Sequence, residues 1–380
     1  MKKKILFITE RRADYSKLRP IIKEMKKSKI CNSYVIVTGS HLLKKYGYTI
    51  NEIKKDKIEI YKKFKMFPIN SKNTPDQMTL GFGNAIIEIT KIIKKLKPDI
   101  VFTGFDIGAN FAGAVVGAHM NIHVAHMEGG EVTGTIDESI RHATSKFSHI
   151  HFTTNNLAKK RLVKMGENKN NIFVVGNPSL DEMQKIRKIS SKKLEKEFNI
   201  ELNKPLILLL QHTVTTEFDK TDKYFLETIL AIKQCNIQCL IISGNIDAGS
   251  EKILKIIQRS KIQNYPSLSF EKYINLLKNC SVLIGNSSSG IMEAPFLQIP
   301  SINIGTRQAG RLTSKSIINV EYDQKMIVKA IKKALYDKKY LKKIKKTEKQ
   351  YGNGNAAKKI IKILEEINLN QISIQKRLMY

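Results

Sequence analysis

The chain has 380 residues, which is enough for two or three domains of ordinary size. Apolar residues make up 42% of it and no apolar run is long enough to span a bilayer, so the composition excludes a disordered or collagen-like chain and predicts no membrane-spanning helix. The net charge of +32 comes mainly from lysines on predicted solvated helix faces, without clustered arginines and aromatic residues, which favours an anionic small substrate over nucleic acid.

Short apolar runs alternate with amphipathic stretches along the chain. The predicted strands are residues 5–9, 34–38, 100–103, 123–126, 149–153 and 172–175, followed by 206–211, 238–243, 282–284 and 301–304. The predicted helices are 17–25, 78–96, 109–119, 137–147, 157–165, 224–233, 251–259, 272–278 and 290–297, with a mostly helical tail over 324–367. This alternation is typical of parallel sheets with helices on both faces.

The charged stretch 181–204 has no strand signal and separates the two series of strands. We therefore predict an N-terminal Rossmann-like domain over 1–180, a linker over 181–204 and a C-terminal nucleotide-binding Rossmann-like domain over 205–350, with a C-terminal helix in 351–380 that crosses back to the first domain. Two such doubly wound domains would face a central cleft at the carboxyl ends of their strands. The four cysteines form no CxxC pair, which predicts reduced thiols in a cytoplasmic protein.

The turn after the first predicted strand carries Arg12 and Ser16 just ahead of a helix. Backbone N–H groups at a helix start attract anions, and these two side chains would add a charge and a hydroxyl. A solvated turn in which Asp14 or Ser16 caps the helix explains the same residues equally well. The pattern leaves both interpretations open.

A second polar turn, at 285–295, places three serines and two glycines between a predicted strand and a helix. Hydroxyls and small residues in this position are typical of a phosphate-binding loop, and the Glu293 carboxylate suits a ribose diol. The alternative is a serine cap with Glu293 completing a capping box. Including the turns at 245–250 and 305–311, the candidate nucleotide-binding residues are Asn245, Ser287, Ser288, Gly290, Glu293 and Arg307.

The richest stretch runs over 126–142 and leads from a predicted strand through a glycine-rich loop into a helix. Its polar members are His126, Glu128, Glu131, Asp137, Glu138, Arg141 and His142. Carboxylates crowded into one site are a means of raising a pKa for acid–base chemistry. The alternative assigns Asp137 or Glu138 to helix capping and Arg141 to an internal ion pair. His126, Glu131 and Arg141 are candidate sugar contacts, and His212, at the end of the first strand of the second series, is a further catalytic candidate.

Together these motifs resemble the hydrolysing UDP-N-acetylglucosamine 2-epimerase family, in the family's order and over residues 4 to about 365. The matching segments are 12–16, 126–142, the stretch around His212, 285–293 and 305–308, and the loop 128–131 resembles the hydrolysing branch. The resemblance implies a GT-B fold of two Rossmann-like domains. It also implies that UDP is held by Arg12, Ser16, Ser287, Ser288, Glu293 and Arg307, and that Glu128, Asp137 and His212 serve catalysis.

The implied reaction eliminates UDP from UDP-N-acetylglucosamine to give a glycal, which water converts to N-acetylmannosamine for sialic-type acids. A sister activity on UDP-N,N'-diacetylbacillosamine, in the legionaminic acid pathway, fits the same motifs. We expect a UDP-sugar substrate, no cofactor, no metal and no nucleic-acid or membrane partner. We also expect a homodimer or homotetramer.

One position departs from the family pattern. The family has Gly-Asp-Arg after the strand that ends near residue 103, whereas this chain has Gly104-Phe105-Asp106. We assign Asp106 as a fourth catalytic residue that reaches the site from a shifted turn. If that role is lost, a GT-B glycosyltransferase or an inactive nucleotide-sugar binder remains open.

Overall fold

The computed structural model describes residues 2–68, 74–105, 108–243 and 247–379. The strands are β1 Lys3–Thr9, β2 Cys31–Val37, β3 Ile60–Lys63, β4 Ile100–Gly104, β5 His123–Met127, β6 Ile150–Thr153, β7 Ile172–Val174, β8 Leu206–Leu210, β9 Gln238–Ile242, β10 Asn264–Tyr265, β11 Val282–Gly285, β12 Ser301–Ile304 and β13 Ile317–Val320. The helices are α1 Arg12–Met25, α2 Ile50–Lys55, α3 Pro75–Leu96, α4 Gly108–His119, α5 Ile136–Phe147, α6 Asn156–Lys164, α7 Ser179–Met183, α8 Ser191–Phe198, α9 Thr221–Cys235, α10 Ser250–Ser260, α11 Phe270–Asn279, α12 Glu293–Phe296, α13 Gln324–Tyr336, α14 Lys338–Ile344 and α15 Ala356–Glu366.

The chain divides into two compact units. The first comprises Met1–Glu131, Ile136–Gln184 and Tyr351–Tyr380, and the second comprises Val132–Thr135 and Lys185–Gln350. The stretch 181–204, predicted as a linker, contains α8, whose Leu194 and Phe198 are fully buried. An amphipathic helix explains the charge of this stretch, because its solvated face carries the lysines and glutamates.

The first unit is built on a parallel sheet in the order β3-β2-β1-β4-β5-β6-β7. The apolar run Ile5–Ile8 in β1 is fully buried, as expected for a strand covered on both faces. Because β1, β4, β5 and β6 are neighbours in a parallel sheet, their carboxyl ends lie side by side at one edge of the sheet.

The last helix, α15, belongs to this first unit and packs on α1. The Asp181 carboxylate accepts hydrogen bonds from the first two amides of α15, at 2.9 and 2.6 Å. At the other end of the helix, Lys3 Nζ donates to the carbonyls of Leu364, Glu365 and Ile367, at 3.1, 3.0 and 2.7 Å. The end of the chain is therefore fastened to the first strand.

The second unit is built on a parallel sheet in the order β10-β9-β8-β11-β12-β13. All five residues of β8 are buried, and β11 lies directly beside it. A Cβ at Gly285, which ends β11 with φ of 127°, would lie 2.0 Å from the Leu210 carbonyl oxygen, so only glycine fits there. The turns after β8, β11 and β12 consequently lie next to one another.

All ten predicted strands are present, and the described residues form three further strands at sheet edges. The helix predicted over 290–297 is wrong as a single element, because the structure has a 3-10 turn at Ser288–Gly290 and then the four-residue α12. Gln298, with φ of 60°, turns the chain out of the helical path. Within the described residues, no helix is both long enough and apolar enough to cross a membrane.

Candidate functional site

The turn between β1 and α1 is organised by Asp14. Its buried carboxylate accepts hydrogen bonds from the amides of Glu10 and Arg11, at 2.8 and 2.9 Å, and burial raises its pKa to about 6. The Ser16 hydroxyl donates to the Ala13 carbonyl at 2.7 Å, within its own helix. Arg12 is the first residue of α1 and is half-buried. The Asp14 carboxylate thus stabilises the start of α1, where Arg12 also lies.

Glu128 lies just after β5 and forms a buried ion pair with Lys17 of α1. Lys17 Nζ is 2.6 Å from one carboxylate oxygen of Glu128 and 2.8 Å from the other. The Glu128 side chain is 1% exposed and that of Lys17 is 11% exposed. The backbone of Glu128 is left-handed, with φ of 69°, so the turn itself directs this carboxylate. The site therefore holds a fixed carboxylate at the end of a central strand.

Phe105 stands where the sequence resemblance leads us to expect an aspartate. It is buried, has φ of 66°, and its ring centroid lies 5.2 Å from Lys17 Nζ. The apolar ring thus covers the ammonium that pairs with Glu128. Asp106 lies outside the described residues, and so does Asn245 of the second unit.

The loop after Glu128 is held by residues predicted to contact the sugar. Glu131 is fully buried, and its carboxylate accepts hydrogen bonds from Asn155 Nδ2 at 2.6 Å and from the Thr154 hydroxyl. Arg141, also fully buried, donates to the Glu131 carbonyl at 3.0 Å. Through this contact with the backbone, Arg141 braces the loop. Both residues position this loop.

Helix α5 connects three of the predicted residues. Asp137 lies in its first turn and Arg141 one turn later, whereas His126 is contacted from its last turn by the Ser145 hydroxyl, 3.1 Å from His126 Nδ1. His126 is fully buried beneath this helix. On the outer side, His142 lies 3.5 Å from Glu138. The position of α5 consequently determines where Asp137 lies and also the contact of Ser145 with His126 of β5.

In the second unit, Asn286 joins the turns that carry His212 and Arg307. Its side chain accepts from the His212 amide at 2.7 Å and donates to the His212 carbonyl at 2.9 Å. Its own carbonyl accepts from Arg307 at 3.2 Å and from Gln308 at 2.8 Å. Asn286 is fully buried and thus ties the backbone of His212 to the guanidinium of Arg307.

The serine loop, residues 287–290, follows directly after Asn286. The Ser287 side chain accepts from the Ser289 amide at 3.3 Å, and the Ser289 hydroxyl contacts the Tyr273 hydroxyl. A Cβ at Gly290 would lie 2.7 Å from the Ser301 hydroxyl, so the loop is tightly packed there. Ser288 begins the 3-10 turn, and Glu293 begins α12 with 8% of its surface exposed. Because α12 has only four residues, a phosphate would depend here on hydroxyls, amides and Arg307 more than on a helix dipole.

Within the described part of the chain, no group of three His, Cys, Asp or Glu side chains is placed to hold a metal ion. The four cysteines are free thiols.

The UDP-N-acetylglucosamine 2-epimerase model matches residues 23–365. The chain belongs to this epimerase family. It is 32% identical to UDP-N,N'-diacetylbacillosamine 2-epimerase (hydrolyzing) of Legionella pneumophila over 99% of both chains, and 37% identical to UDP-N-acetylglucosamine 2-epimerase of Neisseria meningitidis over 87% of both. The crystal structure of the N. meningitidis UDP-GlcNAc 2-epimerase bound to UDP-GlcNAc has the same fold, with a TM-score of 0.82 at 21% identity over 95% of this chain and 99% of that one. The predicted family and GT-B-like fold are confirmed.

Two residues of this 2-epimerase family member were not singled out from the sequence. Lys17 falls with Asp14 and Ile21 on the buried face of α1, and a lysine at a core-facing helical position is the signal that could have found it. Asn286 stood just before the serine loop, but its clamp on the turn after β8 depends on a pairing of strands that are distant in sequence.

Proposed function

We propose that this protein is a hydrolysing sugar-nucleotide 2-epimerase, which converts UDP-N-acetylglucosamine and water to N-acetylmannosamine and UDP for sialic-type acid synthesis. The observation that carries the proposal is family membership together with full-length similarity to a relative named as hydrolysing. The fixed carboxylate of Glu128 after β5 supports it, because the chemistry begins with proton removal.

In the first step a carboxylate removes the proton at C2 while the C1–O bond to UDP breaks, and the electron pair forms the C1–C2 double bond of a glycal. In the second step water adds at C1, and a proton is delivered to C2 from the other face. We assign these proton transfers to Glu128, Asp137, His212 and Asp106. The C2 proton is weakly acidic, so stabilisation of the departing diphosphate makes the larger contribution.

The UDP would be bound by Arg12 and Ser16 of the first unit and by residues of the second unit. The second set comprises Asn245, Ser287, Ser288, Gly290, Glu293 and Arg307. The clamp by Asn286 supports this assignment, because it brings the turns that carry His212 and Arg307 together before any ligand is bound. The sugar would be bound by His126, Glu131 and Arg141, of which Glu131 and Arg141 also brace the loop after Glu128.

UDP-N,N'-diacetylbacillosamine is the second candidate substrate. The Legionella relative that carries this activity in its name matches 99% of both chains. This substrate differs from UDP-N-acetylglucosamine away from C1 and C2, so the same proton transfers would serve both.

The test is incubation of the protein with each sugar nucleotide in D₂O, followed by NMR. Free 2-epimerised sugar with deuterium at C2, released together with UDP, supports the proposal and identifies the preferred substrate. A Glu128→Gln variant, which keeps the shape of the side chain, should lose turnover. Epimerised sugar still attached to UDP would indicate a non-hydrolysing epimerase. Turnover only with an added acceptor would indicate a glycosyltransferase, and binding without turnover a nucleotide-sugar binder, the two alternatives that Phe105 raises.

A further inference from the structure

The segment after α15 lies on the first unit as an extended strap, which we define as residues 372–379. Between 371 and 377 exposed residues alternate strictly with half-buried ones, the half-buried ones being 372, 374 and 376. A period of two is typical of an extended chain with one face against a surface. The strap therefore has a specific register on the unit, since these three residues contact it.

Two histidines hold the backbone of the strap. His123 Nε2 lies 2.8 Å from the Ile372 carbonyl oxygen, and His149 Nε2 lies 3.0 Å from that of Ile374. The Val124 amide donates to His149 Nδ1 at 3.0 Å, so this ring is neutral and carries its proton on Nε2. Burial lowers the pKa of His149 to about 4, which agrees with that neutral form. The strap is thus tied to the strands β5 and β6.

Lys376 makes the third contact and uses all three of its donors. Its Nζ lies 2.9 Å from the Ser145 carbonyl, 3.0 Å from the Lys146 carbonyl and 2.6 Å from Glu167 Oε2. The two carbonyls belong to the last turn of α5, where the helix dipole favours a cation. The Ser145 carbonyl also accepts from the Ser148 amide at 3.1 Å. Lys376 therefore caps α5 from the strap.

Glu167 connects this cap to the interior. Its side chain is 2% exposed and lies 3.1 Å from Nε2 of the buried His151. The His151 ring is 6.4 Å, centroid to centroid, from that of His126 on the neighbouring strand. His126 in turn meets the Ser145 hydroxyl of α5, so the packed His151 and His126 rings connect Glu167 to α5.

We propose that Lys376 is a positioning residue, which holds α5 and thereby the catalytic groups that α5 supports. The helix is 12 residues long, about 18 Å, with Asp137 in its first turn and Arg141 bracing the Glu131 loop. If the last turn of α5 is loosened, we expect the helix to shift at both Asp137 and Arg141. This proposal rests on the proposed function, in which Glu128 and Asp137 transfer protons.

The experiment compares Lys376→Met with Lys376→Arg and with Arg377→Met, an exposed neighbour that serves as the matched control. Lys376→Met should lower kcat about ten- to a hundredfold, because small displacements remote from the reaction have effects of that size. Its affinity for UDP should stay unchanged, since most of the assigned UDP residues lie in the second unit. Lys376→Arg should recover most of the rate, and Arg377→Met should match the wild type.

Amide hydrogen exchange of α5 provides a readout that does not depend on turnover. Lys376→Met should accelerate exchange in the last turns of α5, and Arg377→Met should not. The proposal would be overturned if Lys376→Met kept the wild-type kcat, or if Lys376→Met and Arg377→Met lost kcat equally. It would also be overturned if Lys376→Met lost rate and UDP affinity in parallel. If Lys376→Met fails to fold, Glu167→Gln tests the same cluster and should lower kcat without affecting UDP binding. Should the wild type turn over no sugar nucleotide, the proposed function fails, and α5 exchange alone decides the role of Lys376.

Discussion

Replacement of Lys17 by methionine is the sharpest test of how the site is held together. Methionine keeps the length of the side chain but removes the ammonium, and Glu128 is then left as a carboxylate that is 1% exposed and has lost its cation. Removing one partner of a buried ion pair costs about 3–5 kcal/mol, because the remaining charge is neither hydrated nor paired. Since Lys17 itself is 11% exposed, we expect the lower end of this range, about 3 kcal/mol.

The matched control is Lys27→Met in the turn just after α1. Lys27 pairs with Glu24 at 2.7 Å, but the two side chains are 69% and 23% exposed. An exposed pair contributes about 0–1 kcal/mol, so this variant should unfold almost like the wild type. Both free energies of unfolding can be measured by urea titration followed by circular dichroism.

A second change isolates the charge. Adding Glu128→Gln to Lys17→Met removes the unpaired carboxylate, so the double variant should regain part of the lost stability, a coupling of about 0.5–3 kcal/mol. It should not regain turnover, because Glu128 is the assigned proton-transfer group. The reasoning is refuted if Lys17→Met is no less stable than Lys27→Met, or if the double variant is the less stable of the two Lys17 variants.

The remaining predictions concern the assigned catalytic and UDP-binding residues and one buried carboxylate. Asp106→Asn should lower kcat about 10²–10⁴-fold with UDP affinity kept, and a full-rate variant would exclude Asp106 from catalysis. A rise in rate for Phe105→Asp in the same assay would show that this chain lacks a group its relatives keep. Ser288→Ala and Arg307→Ala should each weaken UDP binding about ten- to a hundredfold, because each loses one hydrogen bond to a charged group. Calorimetry measures this affinity, and an unchanged value in both variants would exclude residues 287–290 as the phosphate-binding loop. Although burial opposes it, contact with His151 and Lys376 lowers the pKa of Glu167 from 4.5 to about 2. A lowered carboxyl pKa stabilises the fold above the unfolded value, so this contribution should be lost as pH falls from 4.5 towards 2. Glu167→Gln should show a smaller acid-side loss in urea titrations, and an identical loss would contradict the assignment.

The central strands were predictable from the sequence, whereas three edge strands were not. Most of the predicted strands are apolar runs, because a parallel strand covered on both faces is apolar throughout. Strand β7 was predicted as well, although it lies at a sheet edge. The missed strands β3, β10 and β13 lie at sheet edges and are two to four residues long. In β3 the last two residues are exposed lysines. Edge strands carry such charges against unwanted pairing, and this removes the apolar signal.

The candidate site was predictable in its residues but less so in their roles. Glu131 and Arg141 belong to the predicted stretch, yet the structure shows them bracing a loop by contacts with Asn155 and with backbone. Such roles depend on which turns adjoin across the sheet, and no local pattern encodes that. For the same reason Lys17, 111 positions before Glu128, carried no signal of its partner.

The attachment of the chain's end to β1 also orders events during synthesis. A ribosome delivers residues from the N-terminus at about 5–20 per second, and domains usually fold in that order. Here the second unit, apart from the short stretch 132–135, is one continuous run over 185–350, whereas the first needs 351–380. The lysine at position 3 must wait for carbonyls at 364–367 before its three bonds can form. The first unit can therefore be completed only after the second has been synthesised, and the apolar flank of α1 stays uncovered until α15 has been made.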